Sequence, residues 1–213
     1  MQRMRRFLVL VLLLLAALPI ARGQAQAGER YLYYLHARIV EDGGRRPADS
    51  LHGEYQYDAI LDSLRAGGFT VLSDQRPPGL AIDTFVTQLT HQVDSLLALG
   101  VPPERITVVG FSRGSAIAML ASSRLRNPAL GFVFIAACGS WAFELPELQV
   151  TGRILSLYET SDSLGESCAP LFARAGEGSR VSEIPLSLGL AHGTFYQPRR
   201  EWLEPVLAWA AAD

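Results

Sequence analysis

The apolar positions of this chain follow two alternating rhythms. Short, almost unbroken apolar runs cover residues 31–37, 69–73, 106–109, 132–137, 154–158 and 181–184, and they have the length and composition of buried strands. Between them lie longer stretches in which apolar residues recur every three or four positions, the rhythm of a helix with one buried face. Ile60, Leu61 and Leu64 mark such a face over 55–66, and Gly67-Gly68 ends it. Phe85, Leu89, Val93, Leu96 and Leu97 mark a longer one over 82–99, closed by Gly100. Residues 113–125 and 199–211 also read as helices, the second with Trp202, Val206 and Trp209 turned inward, and 167–174 predict a short one. A polar, glycine-containing loop occupies 38–53, and Pro77-Pro78-Gly79 makes a turn. Strands buried on both faces and separated by helices predict a three-layer α/β/α sandwich with a mostly parallel sheet. In such sheets the reacting groups sit beyond the carboxyl ends of the strands.

The amino terminus stands apart from this pattern. Arg3, Arg5 and Arg6 precede an apolar run over 7–20, and Ala25-Gln26-Ala27 offers a small-x-small cleavage site. The run is shorter than the about 20 residues that a membrane span needs, so 1–27 read as a secretory signal peptide, with Arg22-Gly23 as an earlier cleavage option and an uncleaved anchor as the alternative, and 28–213 as one domain. The expectation is an exported protein, periplasmic or extracellular, with no stable membrane span after cleavage.

Composition then narrows the chemistry. The 213 residues are 49% hydrophobic and 19% charged, enough for one real core. Cleavage after Ala27 removes four arginines and no acids and takes the formal charge from −2 to −6, which speaks against nucleic acid as partner. The chain has no lysine, so a Ser-Lys dyad, a Schiff-base lysine and a Walker-type phosphate loop are excluded. Two cysteines, Cys138 and Cys168, would pair in an oxidising compartment. With scattered histidines they do not make a zinc site. Neither a metal nor an organic cofactor is called for.

The motif that carries chemistry is Gly110-Phe111-Ser112-Arg113-Gly114, lying between a strand and a helix. A tight strand-turn-helix strains the serine backbone, and flanking glycines avoid clashes across the turn. The serine then stands at the end of the sheet over a helix N-terminus that favours developing negative charge. Its ordinary role would be to cap that helix. A serine nucleophile needs a base, and the base an orienting acid. In "LSLYETSD" an acid follows an apolar strand: Asp162 lies deepest in the loop, with Glu159 and Glu166 as rivals. Of the four histidines, His192 in "LAHGT" precedes the last helix. His91 falls within a helix, His36 ends the first strand and His52 sits in a polar loop.

With Ser112, Asp162 and His192 in that order, the sequence resembles the α/β-hydrolase superfamily over almost the whole of 31–209. Within it the chain is similar to small, lid-poor members of the dienelactone hydrolase and carboxylesterase kind, although Glu159 stands where they usually have glycine. The resemblance implies a minimal sheet of about six strands, because the family's first two strands have no counterpart after residue 27. It implies an oxyanion hole made by the backbone N–H of Arg113 and of Arg38, or else Ala37, in "YLHAR", where His36-Ala37 replaces a common His-Gly. The Arg113 guanidinium would either meet an anionic substrate group or lie on the surface. The lid position, 139–151, is too short for a cap. Its Trp141, Phe143 and Leu145 would either wall an apolar groove or pack into the core. A Cys138–Cys168 bridge would tie this segment to the loop carrying Asp162. The function so implied is a serine hydrolase cleaving an ester or related acyl bond of a small molecule. A non-catalytic binding protein on the same fold, and an acyltransferase or peptidase with the same triad, are the alternatives.

Overall fold

A computed structural model describes residues 28–212; the proposed signal peptide lies outside them. Strands β1 (Tyr31–Leu35), β4 (Thr70–Leu72), β5 (Ile106–Phe111), β6 (Gly131–Ile135), β7 (Arg153–Glu159) and β8 (Arg180–Leu186) form one sheet. Its order is β4-β1-β5-β6-β7-β8 and every pairing is parallel. The strand leading to Ser112, β5, lies within the sheet, and the strands preceding Asp162 and His192 follow it across the sheet in chain order.

Both faces of the sheet are apolar because the strands alternate. Leu32, Tyr34, Val109, Phe111, Val133, Ile135, Leu155 and Leu157 face one core. Helices α2 (Tyr57–Ala66) and α7 (Arg200–Ala211) cover it with Ile60, Leu61, Leu64, Trp202 and Val206. Tyr33, Val108, Phe132, Phe134 and Ile154 face the other. Helices α3 (Ile82–Ala98) and α4 (Arg113–Leu125) cover that side with Phe85, Val86, Leu89, Val93 and Ile117. Burying a side chain of this size contributes about 1.5–3 kcal/mol, so the two layers on opposite faces hold the sheet edges in fixed positions.

Several boundaries depart from the sequence pattern. β1 stops at Leu35, and His36 and Ala37 leave the sheet. The expected loop 38–53 instead holds α1 (Arg38–Gly43) and an antiparallel hairpin of β2 (Ala48–Asp49) and β3 (Gly53–Glu54). The 139–151 segment contains only the short α5 (Ser140–Phe143), and the expected short helix is α6 (Ala169–Phe172). Phe143 and Leu145 pack against the α3/α4 core while Trp141 is exposed and donates its indole N–H to Ala137 O. Of the three candidate groove residues, two therefore belong to the core. Among the described residues no helix is long and apolar enough to cross a membrane.

Cys138 and Cys168 form a disulfide with Cα atoms 5.2 Å apart. It joins the segment after β6 to the start of α6, and Cys138 O also accepts the N–H of Glu166 at 2.9 Å. The chain between β7 and α6, which carries Asp162, is thereby held against the lid-position segment.

Candidate active site

Ser112 leaves β5 with φ 53° and ψ −118°, a left-handed backbone that non-glycine residues rarely adopt. Its N–H donates to Ile135 O at 2.8 Å, which pins the elbow to β6. Ser112 occupies the N-cap position of α4 yet makes no side-chain capping bond. The ordinary role of a serine here is thus unused. The backbone is strained and the hydroxyl makes no capping bond.

Both motif glycines are required by close approach. A Cβ on Gly110 would lie 2.4 Å from Gly114 O. A Cβ on Gly114 would lie 1.9 Å from Leu35 O and 2.9 Å from His36 O. The start of α4 therefore rests backbone to backbone on the end of β1, at the loop that holds Arg38. Ser115, which the sequence pattern did not single out, stitches the elbow further. Its Oγ donates to Gly110 O and lies 2.9 Å from Ile135 O, and it accepts the Ile135 N–H at 2.7 Å.

Asp162 and His192 lie side by side. His192 Nδ1 is 2.6 Å from Asp162 Oδ2, and both side chains are buried. This geometry fixes the tautomer: Nδ1–H donates to the carboxylate and Nε2 is left for other chemistry. Asp162 Oδ1 is held by the Leu164 N–H at 2.9 Å. The His192 ring packs on Phe111, the residue before Ser112, with ring centroids 4.7 Å apart. Glu159 and Glu166 are not its partners. Gly193, the second half of the His-Gly pair, is needed for space, because a Cβ there would lie 2.9–3.2 Å from the His52 side chain. His52 belongs to the β2–β3 hairpin, where its ring and N–H bind Asp49. His91 is exposed on α3.

The loop after β1 is organised by charges that the sequence pattern did not single out. Arg76, Glu41 and His36 are all buried. Arg76 Nε donates to Glu41 Oε1 at 2.9 Å, its Nη2 donates to His36 O, and its backbone N–H donates to His36 Nε2 at 2.9 Å. With Nε2 accepting, His36 Nδ1–H donates to Ala37 O at 2.8 Å. Burial, and then the Arg76 charge, push the His36 pKa down to about 3, so the ring is neutral near pH 7. Glu41 also lies 3.1 Å from Arg113 Nε. Arg113 donates from Nη2 to Leu80 O. Its guanidinium thus serves neither of the two roles read from sequence: it is half-buried and paired within the protein. Ala37 has φ −71° and ψ 166°, ordinary extended backbone, so the missing glycine costs no strain. Arg38 opens α1 and Arg113 opens α4. As first residues of helices, their N–H groups have no intrahelical acceptor.

A cavity of about 330 Å³ lies between β4 and α3. It meets the Arg38 loop from behind, at Leu35 and Arg76, and none of Ser112, Asp162 and His192 lines it. Among the described residues no group of three or more His, Cys, Asp or Glu side chains is arranged to hold a metal.

Parallel sheet order, strand-turn-helix elbow and a late His–Asp pair are the arrangement of an α/β-hydrolase fold. A sequence profile of the Phospholipase/Carboxylesterase family matches residues 72–162, from the end of β4 to Asp162. Solved structures agree with the fold. The Arabidopsis thaliana protein SOBER1 is similar at 14% identity and TM-score 0.53, covering 85% of this chain and 97% of its own. A Bacillus cereus carboxylesterase is similar at 15% identity and TM-score 0.55, covering 85% and 87%. A Klebsiella pneumoniae protein titled as a dienelactone hydrolase is similar at 13% identity and TM-score 0.57, covering 90% of each chain. A search of curated proteins returns no match. The chain has the fold of the α/β-hydrolases, and the comparisons support a hydrolase of the carboxylesterase and dienelactone hydrolase kind.

Proposed function

We propose that this protein is an exported serine hydrolase that cleaves an ester, or a related acyl bond, of a small molecule through Ser112, His192 and Asp162. Ser112 Oγ attacks the acyl carbon while His192 Nε2 takes its proton. Asp162 holds the imidazole by Nδ1–H and stabilises the imidazolium. The tetrahedral oxyanion is received by the backbone N–H of Arg113 and of Arg38, and each such donor is worth about 3 kcal/mol of barrier. His192 passes its proton to the leaving alcohol, which departs and leaves the acyl group on Ser112. Water, deprotonated by His192, then attacks the acyl-enzyme, releasing the acid and restoring Ser112. The arginine and histidine side chains of the β1 loop do not enter these steps; they hold Arg38 in place.

The observation that carries the reading is the buried His192–Asp162 pair, with the His192 ring packed on Phe111 directly before a strained Ser112 that caps nothing. Export is supported by the disulfide, since such bonds persist in oxidising compartments.

The test is mass spectrometry of residues 28–213 after treatment with a fluorophosphonate. A single adduct on Ser112, absent from Ser112→Ala, is expected, together with a loss of ester hydrolysis of about 10⁴-fold or more in the variant. A folded wild-type protein that takes up no probe would remove the hydrolase reading and leave a binding protein on this fold.

A further inference from the structure

We infer that Glu159 is a positioning residue that sets His192 against Asp162, an assignment that rests on the triad proposed above. Glu159 ends β7 and is fully buried, three residues before Asp162. Its main chain holds the acid: Glu159 O accepts the Asp162 N–H at 2.9 Å. Its side chain holds the base from the other side. The carboxylate accepts the Leu188 N–H on its two oxygens at 3.1 and 2.9 Å, and the Gly189 N–H at 3.3 Å. It also accepts the Thr194 hydroxyl at 3.2 Å and the Ser161 hydroxyl at 3.3 Å. Ser161 Oγ in turn accepts the Ala191 N–H at 3.2 Å. Leu188, Gly189, Ala191 and Thr194 bracket His192 on both sides.

A segment of this kind does not hold its shape unaided. Gly189 has φ 69°, and Ala191, which is not glycine, has φ 47°. Such backbone persists only where its surroundings over-determine it. The described structure supplies one buried anion for this, neutralised by N–H and O–H dipoles with no cation against it. Burial raises the carboxyl's pKa, but the N–H groups of Leu188, Gly189 and Ser161 outweigh it and hold the group below its usual range. The carboxylate is therefore the form that the loop is built around. Glu159 does not touch His192 in this arrangement. It acts by keeping the imidazole where its Nδ1–H meets Asp162.

The test compares wild type with Glu159→Gln, which keeps the shape but presents an amide NH₂ to N–H donors. Three readouts are taken on the whole domain: steady-state ester hydrolysis, fluorophosphonate labelling, and the far-downfield ¹H resonance of His192 Nδ1–H, identified by its loss in Asp162→Asn. The expected result is a folded variant with kcat lowered about 10- to 100-fold and KM within about threefold, and a shifted or broadened downfield resonance. Thr194→Val and Ser161→Ala, each removing one hydroxyl partner, should show smaller changes of the same sign. A folded Glu159→Gln with unchanged kcat and an unchanged resonance overturns the inference. If Glu159→Gln does not fold, the two milder variants decide, and both being indistinguishable from wild type overturns it equally. A wild type that neither hydrolyses esters nor labels defeats the proposed function instead; the resonance then still reports whether Glu159 positions His192.

Discussion

Two loop clusters at the carboxyl edge of the sheet are built on opposite charges. On one side of β5 a buried carboxylate, Glu159, gathers N–H and O–H groups and so shapes the histidine loop. On the other side a buried guanidinium, Arg76, gathers a carbonyl, an imidazole nitrogen and the Glu41 carboxylate and so shapes the loop that bears Arg38. The anion is satisfied by neutral dipoles, whereas the cation is balanced by a second buried charge. The difference matters because removing Arg76 leaves buried Glu41 with only the half-buried Arg113 as its counter-charge, which costs more than losing one acceptor among dipoles. The guanidinium side should therefore be the more sensitive in stability, and the carboxylate side the more sensitive in chemistry.

The largest test of that contrast is Arg76→Met. It strips Glu41 of its closest partner, leaves His36 O without its donor, and should cost about 3 kcal/mol or more, read as a lower urea midpoint. Adding Glu41→Gln should return part of this, since the two sites share one interaction. A midpoint unmoved by Arg76→Met would mean that the guanidinium organises nothing.

Next in size is the covalent brace on the carboxylate side. Replacing Cys138 and Cys168 by serine should cost about 3 kcal/mol, measured in the same titration. Fluorophosphonate labelling should slow in the variant as well, because the chain carrying Asp162 loses its tie. Unchanged labelling would place the brace outside the chemistry.

A third test separates the clusters by pH. His36 has its folded pKa pushed down to about 3 from 6.5, so below 6.5 the unfolded chain binds a proton that the folded chain refuses. Stability on the guanidinium side is therefore lost as pH falls from 6.5 toward 3, with a limiting slope of about 1.4 kcal/mol per pH unit. Glu159 also has a folded pKa below its ordinary value of 4.5. Its contribution is full above 4.5 and disappears only as pH falls through the lower folded value. Unfolding free energy measured from pH 7 to 3 should decline in two stages. His36→Gln should flatten the first and Glu159→Gln the second.

How much of this could be read from residues alone follows from locality. The strand-turn-helix around Ser112 lies within a few positions of it. Asp162 and His192 stood out because each follows a strand at the edge where chemistry is expected, and the His192–Asp162 contact is in the structure. The core faces were legible for the same reason, through periodicity. β1 was read two residues too long because His36 and Ala37 continue its apolar run, and what ends it is Arg76, forty positions away. α1 and the two-residue strands β2 and β3 are too short to build a period against a polar background. Glu41 and Arg76 were hidden by composition, since a charged residue in a polar stretch reads as solvated until a buried partner is known. Glu159 did carry a signal: an acid directly at the end of an apolar strand, before the deeper acid that pairs with histidine.

The backbone contact at Gly114 has a mechanical consequence for this fold. With no side chain between the start of α4 and Leu35 O, the serine turn and the Arg38 loop move as one casting. Neither can be shifted to suit a new substrate without shifting the other. Adaptation is thereby displaced to parts that hang from the casting: the β2–β3 hairpin, the turn around Leu80 and the segment bearing Trp141. The Ser112 turn and the Arg38 loop form one rigid piece, and the surrounding segments are attachments to it.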